Sequence, residues 1–425
     1  MRKLIYFIIF FNLIFISSAM AMKTPVMSYS NGDLNNAAEG FLEVNSSINR
    51  DPSDFDINAW QLCPVNATLN EFNVKLRAAP GAGNSYAFTF RVEGVDTAAV
   101  VTISGTDTSG TWSGSISITA GDRVSIKYVP TSTPDVTRAA WSCVFEAGTN
   151  EAPLFLSLGT SGFNDSGVNT TYTGYYGANI TSTTEISRQQ VISTPGTFSK
   201  FYISLTAAPG VGKSYAITFR KNGADQAITL TISDTNTDGS DLTNSFSVVA
   251  GDVISIKEVP SGTPAGAGHV SMGVLFTPTT DGESPIGFGS SDDPSNTAAS
   301  YSAISSSATT GAWTATEADR QALGIGCVIK DLYVKVQTDP TTALSSWTFA
   351  LRQSGSTSAL SVNIASGATT GNDTANDITI TSSNLLNIIC TPTLLPVTGN
   401  VWYGMTAYIE PTSTTNKSNF FMVFD

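Results

Sequence analysis

A chain of 425 residues with 21 Lys and Arg against 34 Asp and Glu carries a net charge of −13, and with no basic stripe to offset it such a surface excludes nucleic acid as a default partner. Hydrophobic residues make up 41% and charged ones only 13%, which excludes a disordered chain. At this length about three domains are expected, and β-branched residues in short alternating runs between turn residues predict an all-β protein with little helix.

Residues 1–21 begin with Arg2 and Lys3, continue with the apolar run LIYFIIFFNLIFI and end on small residues before Ala21. That layout predicts a secretory signal peptide cut after Ala21. The apolar run is short for a membrane span, which needs about 20 residues. The alternative is that Met20 or Met22 is the true start. No later segment is apolar enough to cross a bilayer, so no span is expected in the mature chain.

The rest of the chain reads as one module written three times, over residues 22–149, 150–281 and 282–425. Each opens on a short strand after a proline: TPVMSYSNG from Thr24, APLFLSLGTSG from Ala152 and SPIGFGSSDD from Ser284. The copies are offset by about 130 residues, too long for a solenoid unit and right for a whole domain, and a polar, aromatic-sprinkled stretch of roughly forty residues follows each opener. It leads into the strands NEFNVKL (from Asn70), SKFYISL (from Ser199) and KDLYVKV (from Lys330).

The register is clearest in the next strand. Tyr86, Tyr215 and Trp347 align, followed by Phe88, Ile217 and Phe349, then Phe90, Phe219 and Leu351. Alternation puts these side chains on one buried face and Ala216, Thr218 and Arg220 on the other. Arg91, Arg220 and Arg352 come next, and Gly94, Gly223 and Gly355 close a hairpin, with Asn222-Gly223 as its strongest signal. The Gly-Asp turns at Asp122 and Asp252 drift to Ser383-Asn384 in the third copy, where a departure is expected. The closing strands AAWSCVFEA, HVSMGVLF and NVWYGMTAYIE are apolar at successive positions, so both of their faces need cover.

Several motifs imitate chemistry. Ala207–Ser214 (AAPGVGKS) resembles a phosphate loop, but a strand follows it where a helix is required, so it reads as an inter-strand turn. Asp234-x-Asn236-x-Asp238-Gly239 opens like a calcium loop without the closing Glu and reads as a solvated turn. The single histidine, His269, has no counterpart in the other copies, and no G-x-S-x-G occurs, so a serine triad is not expected. A two-carboxylate hydrolase remains open on this reading, but no Asp or Glu pair recurs. No cofactor or metal site is expected.

The in-register arginines Arg91, Arg220 and Arg352 read either as a thrice-repeated anion or glycan contact or, preferably, as stems lying across the sheet. Their heads would then lie in water or on turn carboxylates such as Asp122 and Asp252. The tryptophans do not align, which predicts core or interface positions rather than a shared sugar platform. Four cysteines, Cys63, Cys143, Cys327 and Cys390, allow three connectivities. In an exported chain the expected pairs are Cys63–Cys143 and Cys327–Cys390, with buried thiols as the alternative. The Asn-X-Ser/Thr sequons, including Asn66, Asn169 and Asn179, follow from composition.

The phrases SYAITFRKNG and VVAGDVISIKEVP resemble the C-terminal half of C1q/TNF-like jelly rolls and repeats of phage and bacterial surface structural proteins. The resemblance implies antiparallel β-sandwich modules that pack in threes, and no activity. It leads to the expectation of a non-enzymatic secreted, cell-surface or virion protein that is structural or adhesive. The alternatives are a carbohydrate-binding protein and a polysaccharide hydrolase. Other structural proteins or cell-surface glycans are the expected partners. The three copies would form either a pseudo-trimer within one chain or separate beads, and a homo-oligomer is also open.

Overall fold

The computed structural model describes residues 20–45, 52–158, 162–163, 169–176, 181–290, 292–308, 311–341 and 343–413. Residues 1–19 of the expected leader (1–21) and the sequon at Asn179 lie outside the described residues, while Met20 and Ala21 begin the first strand. In the first repeat the strands are β1 (Met20–Tyr29), β2 (Gly40–Leu42), β3 (Gln61–Leu62), β4 (Ala67–Leu76), β5 (Gly81–Val92), β6 (Val95–Gly105), β7 (Ser109–Ile118), β8 (Arg123–Thr131) and β9 (Ala139–Ala147). One sheet has the order β1-β9-β4-β7 and the other β2-β8-β5-β6, with β3 also paired to β8. Apart from the β5–β6 hairpin, successive strands from β3 onward cross between the sheets, the wiring of a double-sheet jelly roll.

The second repeat uses the same nine strands: β10 (Ala152–Leu158), β11 (Thr171–Thr173), β12 (Gln190–Val191), β13 (Gly196–Leu205), β14 (Gly210–Lys221), β15 (Ala224–Asp234), β16 (Asp238–Val248), β17 (Val253–Ser261) and β18 (Val270–Pro278). Its sheets run β10-β18-β13-β16 and β11-β17-β14-β15. The third has β19 (Glu283–Ser290), β20 (Ser300–Ser302), β21 (Ser306–Ala308), β22 (Ala322–Leu323), β23 (Cys327–Val336), β24 (Ser346–Gln353), β25 (Ser356–Ala365), β26 (Thr370–Asp373), β27 (Ile378–Ile380), β28 (Leu385–Thr393) and β29 (Val401–Tyr408). Here β21 lies parallel to β19, and the strand matching β7 is split into β26 and β27, both on β23. A last strand, β30 (Thr412–Ser413), pairs with the start of β1.

The faces fall as the alternation requires. Tyr215, Ile217 and Phe219 are fully buried, and Phe219 meets Phe198 and Phe201 of the facing sheet at 5.9 and 5.0 Å between ring centres. The hairpins close through Glu93-Gly94, Asn222-Gly223 and Ser354-Gly355, every one at positive φ, the backbone that a two-residue hairpin turn demands. The expected departure at Ser383-Asn384 does not occur. The Asn384 amide oxygen accepts from Thr381 N at 2.8 Å, as Asp122 accepts from Thr119 N at 2.7 Å and Asp252 from Val249 N at 2.9 Å. An amide oxygen supplies the acceptor that the turn needs without the charge.

The repeats dock head to tail in a closed circle. Strand β3 of the first sits against β10 and β18 of the second, β12 of the second against β19 and β29 of the third, and β22 of the third against β1 and β9 of the first. Every residue of β10 and β19 is buried, and β9, β18 and β29 are buried along nearly their whole length, so their second face is covered by the neighbouring repeat. Phe155 and Leu275 of the second repeat belong to the core of the first, while Met22, Met27, Tyr29 and Val144 of the first join a core shared by the second and third. Interfaces of this unlike-to-unlike kind close only if the rotation returns to its start, and three copies do so here.

Small residues let the backbones meet. A Cβ on Gly273 would stand 2.0 Å from the Leu62 carbonyl oxygen, and one on Gly404 2.2 Å from that of Val191. At the third junction the same position is Ser142, whose hydroxyl donates to Gly324 O at 3.0 Å.

Candidate functional site

The three in-register arginines sit in one repeated arrangement, and it differs from the expected one. Arg91 Nε donates to Asp56 at 3.1 Å, Arg220 Nε to Glu185 at 2.7 Å and Arg352 Nε to Glu317 at 2.7 Å. Each acid lies 35 residues before its arginine, on a short 3-10 turn between the second and third strands of the repeat. Asp122 and Asp252 are committed to their own turns and do not take the arginines. Each guanidinium also donates to the hairpin carbonyl of Gly94, Gly223 or Gly355 and lies over the ring of Phe41, Tyr172 or Tyr301. In the first two repeats Asp96 and Asp225 add a second carboxylate, which Lys127 and Lys257 share. Donating to Glu185 holds Arg220 more firmly protonated still, and donating to Glu317 does the same for Arg352.

The arginine head is therefore neither in water nor offered to a ligand, its side chain being only about 14% exposed. It fastens the long excursion between the second and third strands down onto the outer sheet. That fastening matters because the excursion carries β3, β12 and β22, the strands that dock on the next repeat.

The cysteines correct a second expectation. All four are buried free thiols, and neither Cys63–Cys143 nor Cys327–Cys390 is bridged. Cys327 on β23 and Cys390 on β28 belong to facing sheets, as do the β3 segment beside Cys63 and β9 with Cys143. Each pair shares a hydrophobic core, Cys63 with Cys143 and Cys327 with Cys390, yet all four sulfurs remain thiols. Cys63 Sγ instead donates to Val65 O at 3.1 Å. Burial pushes the Cys63 and Cys327 thiols up to about 12 and raises Cys143 and Cys390 as well, so none is a reactive thiolate. Native protein is expected to resist maleimide labelling and to take up four labels per chain once denatured without reductant. Mass spectrometry of the two samples checks this, and two labels or fewer after denaturation would show a bridge.

The imitated motifs resolve into strands and turns. Gly210–Lys221 is the single strand β14, and Gly212 N donates to Asp234 at 2.7 Å, so that carboxylate closes a turn. Asp238 pairs with Arg123 of the first repeat at 3.0 Å. His269 is 2% exposed and reaches Trp60 O across the junction at 3.3 Å. Trp141, Trp347 and Trp402 are fully buried, in keeping with core and interface roles.

Several carboxyls that the sequence did not single out are buried, Glu258 among them. Glu258 stands where the other copies have Tyr128 and Cys390, is 2% exposed, and accepts a hydrogen bond from Thr171. Burial pushes its pKa up to about 7. The folded protein then holds this proton more tightly than the unfolded chain, so its contribution to stability is complete below the unfolded value. It is lost as pH rises through about 7. At 1.36 kcal/mol per unit the loss is at most on the order of 3 kcal/mol. Thermal melts of the Glu258→Gln variant should be flatter between about pH 4.5 and 7.5 than those of the parent. Parallel curves would show that Glu258 ionises normally.

The junction between the third and first repeats holds a cavity of about 210 Å³ lined by Tyr29, Ala139, Ala140, Lys75, Arg77, Arg138 and Gln321 among others. Arg77 and Arg138 both pair with one oxygen of Asp319 at 3.1 Å, and Arg138 Nε lies 3.4 Å from Asp33. Arg320, 8% exposed, donates to Asn31 Oδ1 at 2.8 Å behind it.

Comparison with known proteins adds little. No family profile matches the chain, and no curated protein does. Among solved structures, an "anti-sigma factor domain-containing protein" aligns over 60% of this chain and 93% of its own at 10% identity, with a TM-score of 0.13, too slight a likeness to bear on fold or function.

Proposed function

We propose that this chain is a non-enzymatic secreted or virion-surface protein, structural or adhesive in role, whose three C1q/TNF-like modules make a trimer-like body from one polypeptide. The observation that carries the reading is the circle of junctions, in which each repeat covers the β1-β9 type of strand pair of its neighbour. A body of this kind is rigid, and it gathers the loops between the fourth and fifth strands and between the eighth and ninth at the same end of each repeat. Exposed apolar residues stand on those loops at Val136, Leu344, Leu394 and Leu395, and at Val211 in the first residues of β14. The backbone is left-handed at Leu344, Leu394 and Leu395, a strain that loop tips retain when the side chain is needed outward.

The buried and paired charges support the absence of catalysis in this reading, because the carboxylates that recur serve arginines rather than a cleft. The test is to incubate the purified chain with cells or particles from its source and with a polysaccharide panel, scoring retention and sugar release separately. Retention without release is expected. Release of reducing sugar, lost on heat denaturation, would replace the proposal with a hydrolase.

A further inference from the structure

The cavity between the third and first repeats breaks the internal symmetry in a directed way. Strand-end pairing aligns Arg77 and Arg138 with Thr206 and His269 in the second repeat and with Gln337 and Asn400 in the third. Only the first repeat places two guanidinium groups there. Lys75 adds an ammonium where the second repeat has Ser204 and the third Lys335. Ala140 stands where the third repeat has the buried indole of Trp402, so the first repeat also gives up volume at this level. The two guanidinium groups are found in neither other repeat, and they stand beside a small residue where the third repeat has an indole.

The charge balance points the same way. Lys75, Arg77, Arg138 and Arg320 face Asp33 and Asp319, which leaves an excess of two positive charges in a chain whose net charge is −13. Two guanidinium groups share one oxygen of Asp319, so N–H donors remain for a second carboxylate, which an arginine fork matches in geometry. Behind them Tyr29, with its hydroxyl beside Arg320, and the methyl groups of Ala139 and Ala140 give an apolar wall. A cavity of about 210 Å³ holds roughly seven waters at about 30 Å³ each, room for one ring and not for a chain of sugars.

We propose that this cavity binds a small carboxylate, one sugar or aromatic ring in size, with Arg77 and Arg138 holding the carboxylate and Tyr29 walling the ring. The carboxylate can come from a free acid or from the acidic terminal sugar of a glycan. This site does not depend on the structural or adhesive reading, and its failure would leave that reading intact.

Ligand-observed NMR on the full chain tests it, with glucuronate, glucose as its neutral counterpart, and a glucuronate-capped oligosaccharide as probes. Glucuronate is expected to bind saturably with a millimolar dissociation constant and glucose not to bind. Arg77→Gln should weaken the acid at least about tenfold with an unchanged melting temperature. Ala140→Trp, which borrows the third repeat's own side chain, should abolish binding. Binding of the capped oligosaccharide as well as the free acid identifies a glycan end as the source, and binding of the free acid alone identifies a free metabolite. The proposal is overturned if glucuronate does not bind up to about 50 mM, if glucose matches it, or if the acid binds equally to Arg77→Gln and Ala140→Trp.

Discussion

Gly404→Val is expected to open the junction between the second and third repeats. The added Cβ would stand 2.2 Å from Val191 O, a backbone atom of a strand that is itself hydrogen-bonded in its sheet, so neither side can yield. Overpacking of this kind costs about 1–3 kcal/mol even where side chains can move, and more where backbone must. The expected result is a lower melting temperature together with new proteolytic cutting at 279–282, the segment joining those repeats. Gly273→Val should act alike on the first junction. Ser142→Ala is the contrasting change, because it removes the hydroxyl's bond to Gly324 O and a long one from Asn73 and leaves the contact, at a cost of about 1 kcal/mol. If Gly404→Val melts and resists protease like the parent, the repeats do not meet there.

Phe219→Ala should cost about 3–5 kcal/mol, as deletion of a fully buried ring does. Its ring contacts Phe198, Phe201 and Phe246, so the cavity left behind is walled by large rigid groups that collapse poorly. The next residue gives the comparison. Arg220→Ala leaves Glu185 with only the Ser255 hydroxyl and Asp225 with only Lys257 at a partly covered site, which should cost about 1–3 kcal/mol, less than the ring and more than an exposed charge. Denaturant melts of the two variants check the order, and equal losses would mean that the two faces of β14 are equally buried.

These two residues also show what could be read from the sequence. The alternation that buries Phe219 is local, a period of two set by the pleat, and it repeats in three copies, so fold class and strand faces followed directly. The role of Arg220 was not local. Its partner Glu185 lies in the polar excursion where the copies diverge most, and only the constant spacing of 35 residues to Asp56, Glu185 and Glu317 carried the signal. The disulfides failed for a related reason. An even count and an expected export route say which chemistry is allowed, while core packing decides whether two sulfurs meet, and the count carries nothing of that. The junction cavity was invisible because Arg77 and Arg138 become neighbours only through pairing at the strand ends, and Gln321 reaches them from another repeat.

The closed circle of three repeats is the claim on which the rest stands, and small-angle X-ray scattering of the chain in dilute solution tests it most directly. A compact body of this length has a radius of gyration of about 22 Å with a bell-shaped, single-peaked distance distribution, and that is the result predicted. A radius above about 30 Å with a long tail in the distance distribution describes beads in a row and would contradict it.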